Sequence, residues 1–207
     1  MSIEPLVHPD EVDMVAQTHP ATLENLAATP DDGRTHELID GEIVVSAART
    51  FGHQLVSQLM NGHLFDWVRE HGTGLALAAP TDVVLDNIQV LQPDLLYIAD
   101  DNRGEIVDGR FHGAPDLVVE IVSPTSRSRD SIVKPMRYAR FGVREFWLVD
   151  PDHRSITAYD LVDGLYTERL ADTDGSLASG VMGGLRVEPE ALFAEVDRVI
   201  ARRRPIS

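Results

Sequence analysis

The stretch Ala114–Asp150, APDLVVEIVSPTSRSRDSIVKPMRYARFGVREFWLVD, decides the fold. It opens on the short β-branched apolar run LVVEIV and closes on EFWLVD, and both read as strands. The basic segment between them reads as helical in its later part and ends at Gly142. Alternation along the first strand puts Val118, Glu120 and Val122 on one face and Leu117, Val119 and Ile121 on the other, so Glu120 takes the place of an apolar residue. A carboxylate buried there must become neutral or find a cation. Lys134, inside the basic segment, is the only lysine among eighteen basic residues. Lysine differs from arginine in offering a compact ammonium whose pKa moves on desolvation, which makes a single retained lysine a candidate for chemistry. An arginine-rich coding bias that left one lysine by chance is the bland alternative.

Upstream, LALAAPTDVVLD and VLQPDLLYIA complete a set of three apolar runs read as core strands. Asp94 lies within the second of these, just after Pro93. Two carboxylates on neighbouring strands, Asp94 and Glu120, form a ready site for a divalent metal, and oxygen ligands select magnesium or manganese. Asp116 repeats the Pro-Asp pair but opens its strand, and reads as a turn or edge residue outside the site. From Thr50 to His71, apolar residues recur at helical spacing and Gly72 closes the helix. His53 sits near the start of that helix, where a polar face can turn toward the end of the sheet; an ordinary surface histidine fits the same position. Asp40-Gly41 marks a tight hairpin in HELIDGEIVV, flanked by Glu37 and Glu42. Glu37 is a candidate to face the carboxylate pair. Residues 1–30 read as an arm plus a short helix capped by Thr22, and 31–207 as a single domain. Downstream, a hairpin around Asp163-Gly164 is followed by a Gly-rich stretch and a C-terminal helix running into Arg202, Arg203 and Arg204. The order of elements fits an α/β fold, with a mixed sheet flanked by helices and hairpins at its margins.

Thirty-four acidic and eighteen basic residues give a net charge of −16, which opposes generic affinity for nucleic acid or an anionic membrane. The charge is uneven, however. Ser123–Arg144 holds Arg127, Arg129, Lys134, Arg137, Arg140 and Arg144 against Asp130 alone, either as a solvated basic helix face or as a footing for phosphates. The absence of cysteine excludes disulfide frameworks, thiol nucleophiles and cysteine zinc sites. No run is long and apolar enough for a membrane span, and the first residues show no basic leader followed by an apolar core, so a cytoplasmic protein is expected.

HELIDGEI, QPDLLYIA, APDLVVEIVSPTSRSRD, Lys134 followed by Tyr138, and FGVREFWLVDP together resemble the Uma-type endonuclease family of the PD-(D/E)XK nuclease superfamily. The resemblance covers about Leu23 to Phe193. It implies a restriction-endonuclease-like core and hydrolysis of DNA phosphodiester bonds. In that reading Asp94 and Glu120 are the paired carboxylates, and with the Ile121 carbonyl they hold Mg2+ or Mn2+. The superfamily lysine usually stands two residues after the glutamate; here that position is Val122, and Lys134 on the following helix corresponds to it. Glu37 and His53 become auxiliary members, with Tyr138 on the same helix face as Lys134. Arg127, Arg129 and Arg137 are expected to receive backbone phosphates, and a homodimer is expected for cutting both strands. Pro135 disfavours helical geometry at Lys134, so the helix either starts late, with the proline in its first turn, or kinks. Two other classes fit the same residues: a catalytically silent fold that binds a partner, and a metal-dependent phosphoesterase acting on a substrate other than a long polynucleotide.

Overall fold

The structure, a computed structural model, describes residues 19–202. The expected arm before residue 19, and Arg203 and Arg204, lie outside them. Helix α1 (Leu23–Ala27) begins at Thr22, whose backbone N–H donates to Asn25 Oδ1 at 2.8 Å. Strands β1 (Thr35–Ile39) and β2 (Glu42–Ser46) form the expected hairpin. Asp40 and Gly41 both take positive φ, 52° and 80°, the geometry of a two-residue turn matched to strand twist. Helix α2 (Phe51–His71) starts at Thr50, whose hydroxyl accepts from the His53 N–H, and stops at Gly72 in the left-handed region.

Two apolar runs that read as single strands are in fact two strands each. LALAAPTDVVLD supplies β3 (Leu75–Ala78) and β4 (Val83–Asp86), and VLQPDLLYIA supplies β5 (Gln89–Leu91) and β6 (Leu95–Ile98). Each break contains a proline, Pro80 or Pro93, which has no N–H to give a central ladder. The breaks separate two sheets. One has the order β2-β1-β5-β4-β8-β7, where β7 (Glu105–Val107) and β8 (Arg110–His112) are a further hairpin around Asp108-Gly109. The other has the order β12-β11-β10-β9-β6-β3, built with β9 (Leu117–Ile121), β10 (Glu145–Asp150), β11 (Ser155–Val162) and β12 (Leu165–Arg169). A small ribbon of β13 (Leu177–Ala178) and β14 (Arg186–Val187) precedes helix α4 (Pro189–Ala201). Asp94 therefore stands where the chain leaves one sheet for the other.

The second sheet carries the core. Strands β9 and β10 are parallel, joined by helix α3 (Lys134–Phe141), while the remaining pairings of that sheet are antiparallel. Leu117, Val119 and Ile121 join Trp147 and Val149 against Val56, Met60 and Leu64 of α2 and Phe193 of α4. Val118 faces the other way, with Phe146, Tyr138 and Leu91, as the alternation requires. Each of these fully buried side chains contributes about 1.5–3 kcal/mol of transfer free energy. Glu120, on the Val118 face, is thus fixed in the layer between the sheet and α3.

The chain does not leave helical geometry before Pro135. Lys134 has φ −61° and ψ −46°, and its N–H bonds the Arg129 carbonyl five residues back. Arg129–Val133 form a π turn that runs straight into α3. A proline ring presses on the carbonyl four residues earlier, here Ser131. The α-helix starts at Lys134 with Pro135 in its first turn, as one of the two expected outcomes had it, and the wider π turn before it relieves that crowding, so the chain is already helical on entry.

Candidate active site

Leu95 pairs with Val119 in antiparallel register, which sets Asp94 beside the residues that follow Val119. Asp94 Oδ2 accepts the Ile121 N–H at 2.8 Å. The same oxygen lies 3.2 Å from His53 Nε2, which is also 3.0 Å from the Ile121 carbonyl. Two acceptors around one ring nitrogen place the His53 proton on Nε2. On the outer side, Arg49 Nη2 is 3.2 Å from Asp94 Oδ1. Burial raises the Asp94 pKa, but the His53 hydrogen bond and the Arg49 charge outweigh it, leaving this carboxyl below its usual range.

Lys134 is fully buried, and its Nζ lies 2.7 Å from Glu37 Oε1, 3.1 Å from Glu120 Oε1 and 3.7 Å from Asp130 Oδ1. The same Glu37 oxygen also accepts the Gln92 N–H at 2.9 Å. The Tyr138 hydroxyl donates to Glu120 Oε1 at 2.7 Å. Asp130, Lys134 and Tyr138 are the buried residues of the π turn and α3, spaced four apart, so one helical stripe presents an acid, a cation and a phenol to the sheet. Burial pulls the Lys134 pKa down, but Glu120, Glu37 and Asp130 more than reverse this and the ammonium stays protonated. Burial pushes the Glu120 carboxyl up to about 8 despite Lys134, with Asp130, Asp94 and Glu37 adding to the rise. Burial also raises Asp130, against the pull of Lys134, and drives the Tyr138 phenol well above its ordinary value.

Asp94, His53 and the Ile121 backbone thus form one hydrogen-bonded group and Lys134, Glu37 and Glu120 another, joined where Glu120 and Ile121 follow each other on β9. The three arginines read as phosphate contacts part company. Arg127 is engaged by Asp150 and Asp152, and Arg137 is bidentate on Asp40. Arg129 stays beside the cluster: it donates to Ser46 Oγ at 2.7 Å and approaches Glu37 and Asp130 only at 3.9 and 3.8 Å. Asp116 is a fastening outside the site, accepting from the Ala99 N–H, the Asn102 amide and Arg144. Arg49 and Asp130 are cluster members that the sequence reading passed over. Asp130 carried a signal, standing one helical turn before Lys134; Arg49 carried none, being one arginine among many in a loop.

The cluster contains unspent hydrogen-bonding capacity. Glu120 Oε2, Glu37 Oε2, both Asp130 oxygens and His53 Nδ1 are buried without hydrogen-bond partners. Such groups are costly unless a proton or a ligand completes them.

Residues 21–188 match a family model, Uma2, described as "Putative restriction endonuclease". No curated protein matches the chain. A solved structure described as "a putative nuclease" from Anabaena variabilis is similar with a TM-score of 0.71, covering 86% of this chain and 99% of that one at 17% identity. At that identity the likeness is one of fold.

Proposed function

The chain belongs to the Uma2 family, and we propose that it is a metal-dependent endonuclease that hydrolyses DNA phosphodiester bonds at the layer formed by Asp94, Glu120 and Lys134. The observation that carries this reading is a buried lysine ammonium 3.1 Å from Glu120, on a strand whose next residue hydrogen-bonds Asp94.

The donor set suits a hard divalent ion. Asp94, Glu120 through its unpartnered Oε2, and the Ile121 carbonyl would hold it, all through oxygen. Among the described residues no three His, Cys, Asp or Glu side chains form a metal cage by themselves. Two carboxylates and one carbonyl leave coordination positions for water, which Mg2+ retains. When bound, the ion supplies a water of lowered pKa and positive charge for the phosphoryl oxygens.

The remaining roles belong to the side chains. Lys134, kept protonated by its three carboxylates, acts as a cation and donor that orients the attacking water and stabilises charge developing on the phosphoryl group. Its protonation argues against a role as the base. Glu37 and Tyr138 are positioning residues, fixing Lys134 and the Glu120 carboxylate respectively. His53 holds Asp94 and the Ile121 carbonyl side by side.

The test is cleavage of plasmid and oligonucleotide DNA in Mg2+, in Mn2+ and in chelator, comparing wild type with Lys134→Ala and Glu120→Ala. The expected result is metal-dependent cleavage that falls by at least about a hundredfold in each variant. Equal nicking by all three proteins would point to a contaminant and reject the proposal. The net charge of −16 favours one rival, a phosphoesterase on a small substrate. That rival predicts hydrolysis of a small chromogenic phosphodiester with no salt-dependent affinity for DNA.

A further inference from the structure

A cavity of about 280 Å3, walled by Val45–Thr50, Ser123–Ser126 and Arg129, borders the buried layer through Arg49, which stands on Asp94, and Arg129, which lies near Glu37 and Asp130. Its two cations differ from the arginines around them. Arg49 meets a carboxylate at 3.2 Å without a hydrogen bond, and the carboxylates nearest Arg129 are 3.8 and 3.9 Å away. Arg127 and Arg137, by contrast, are closed by direct hydrogen bonds to Asp150 and Asp40. Arg49 and Arg129 are therefore the guanidiniums near the site that retain donors for an anion, and Ser46, Ser123 and Thr125 set hydroxyls around them. The cavity also opens at the start of α2, where backbone N–H groups favour negative charge.

We infer that this cavity receives a phosphate group of a single unpaired nucleic-acid strand, with Arg49 and Arg129 on its oxygens and Phe51 stacking a neighbouring base. The inference rests on the nuclease reading and names its substrate class. Three observations favour an unpaired strand over a duplex. Asp94 is 2% exposed, and Glu120 and Lys134 are fully buried, so these residues present no open face across which a duplex could lie. The adjoining cavity shares Thr125 and Arg129 but adds Asp40, Glu42 and an Arg137 already held by Asp40, which gives a second phosphate track little purchase. Phe51, directly after the cavity wall, leaves 69% of its surface in solvent. An exposed aromatic ring suits the face of an unpaired base, whereas bases in a duplex are already stacked on one another.

The experiment is fluorescence anisotropy with a labelled oligothymidylate and a duplex of equal length, titrated with the full chain in chelator so that no turnover occurs. Single-strand binding is expected to be at least about tenfold tighter than duplex binding. Arg49→Ala and Arg129→Ala should each weaken it by about tenfold, the effect of a lost charge-assisted hydrogen bond. Phe51→Ala should weaken it by a factor of about five or more while leaving the thermal midpoint unchanged. Arg69→Ala, which removes the same charge from the exposed far end of α2, should have no effect. Because Arg49→Ala takes a partner from Asp94, the exposed Phe51 variant keeps the test decisive if the Arg49 variant folds poorly. Duplex binding as tight as single-strand binding, or single-strand binding indifferent to Phe51→Ala and Arg129→Ala, overturns the inference. Failure of the nuclease reading looks different: the strand binds through these residues but is not cut in Mg2+ or Mn2+.

Discussion

Lys134 is fully buried, and its charge is balanced by the side chains of Glu37, Glu120 and Asp130. Removing one partner of a buried ion cluster costs more than the cluster contributes, because the remaining charges lose their counter-ion. Lys134→Met should therefore lower stability by about 3–5 kcal/mol in urea denaturation as well as abolishing cleavage. An unchanged denaturation midpoint would show that the ammonium is not what holds Glu37 and Asp130 in place. Glu120 makes the pH dependence. Its folded pKa, about 8, stands above the 4.5 of an ordinary glutamate, so its contribution to stability is present below pH 4.5 and is lost as pH rises toward 8. The raised Asp130 acts in the same direction, and the raised Lys134 keeps its contribution throughout this window. The lowered Asp94 changes only in more acidic solution. In chelator the thermal midpoint should fall between pH 5 and pH 8, and Glu120→Gln should flatten that fall. A midpoint that rises over this range in the wild type would contradict the raised Glu120 carboxyl. At this scale much was legible in the sequence: a carboxylate centred in LVVEIV conflicts with its surroundings whatever the fold. The full set of partners was not, because Arg49 and His53 reach Asp94 from α2 and the loop before it, and Lys134 and Tyr138 reach Glu120 from α3, all distant in sequence.

At the scale of elements, α3 aims the lysine and the π turn before it brings Asp130 onto the same stripe. The helix is stopped by Gly142 at φ 87°, with open space where a Cβ would stand. Gly142→Ala meets no steric neighbour and carries only the left-handed backbone penalty, so a loss of about 1–2 kcal/mol is expected with cleavage retained. Loss of cleavage at unchanged fold would mean that the end of α3 sets the direction of Lys134 more tightly than its packing indicates. The helices and the hairpins around Asp40-Gly41 and Asp163-Gly164 could be read from periodicity and turn chemistry, which act over a few residues. The division of two apolar runs into four strands could not be read so directly. A buried strand and a pair of strands broken at a proline present the same apolar composition, and only pairing shows which sheet each half joins. The proline in the first turn of α3 was legible in the sequence, but the π turn that leads into it was not, because a wider turn relieves the clash that normally ends a helix before proline.

At the scale of the whole molecule, the excess of negative charge and the cluster of arginines point in opposite directions, and pairing decides between them. The sequence marks Ser123–Arg144 as a basic segment, but Arg127, Arg137 and Arg144 are consumed by Asp150, Asp40 and Asp116. Binding through the two less engaged arginines on one phosphate should show a shallow salt dependence, with a log–log slope of about −0.7 for a single strand. A slope several times steeper in a salt titration would require a broad basic footprint that these pairings do not leave. Among the described residues no helix is long and apolar enough to cross a membrane.

By itself the sequence determined the mixed α/β architecture, the hairpins around Asp40-Gly41 and Asp163-Gly164, the long helix, and the identity of the residues that conflict with their surroundings, because periodicity, turn chemistry and the cost of burying charge are local properties. Only the tertiary structure decided that Arg49 stands on Asp94, that Asp130 joins Lys134, and that Arg127 and Arg137 are neutralised. Those outcomes depend on which charges meet across elements far apart in the chain, and electrostatic pairing is set by distance in space.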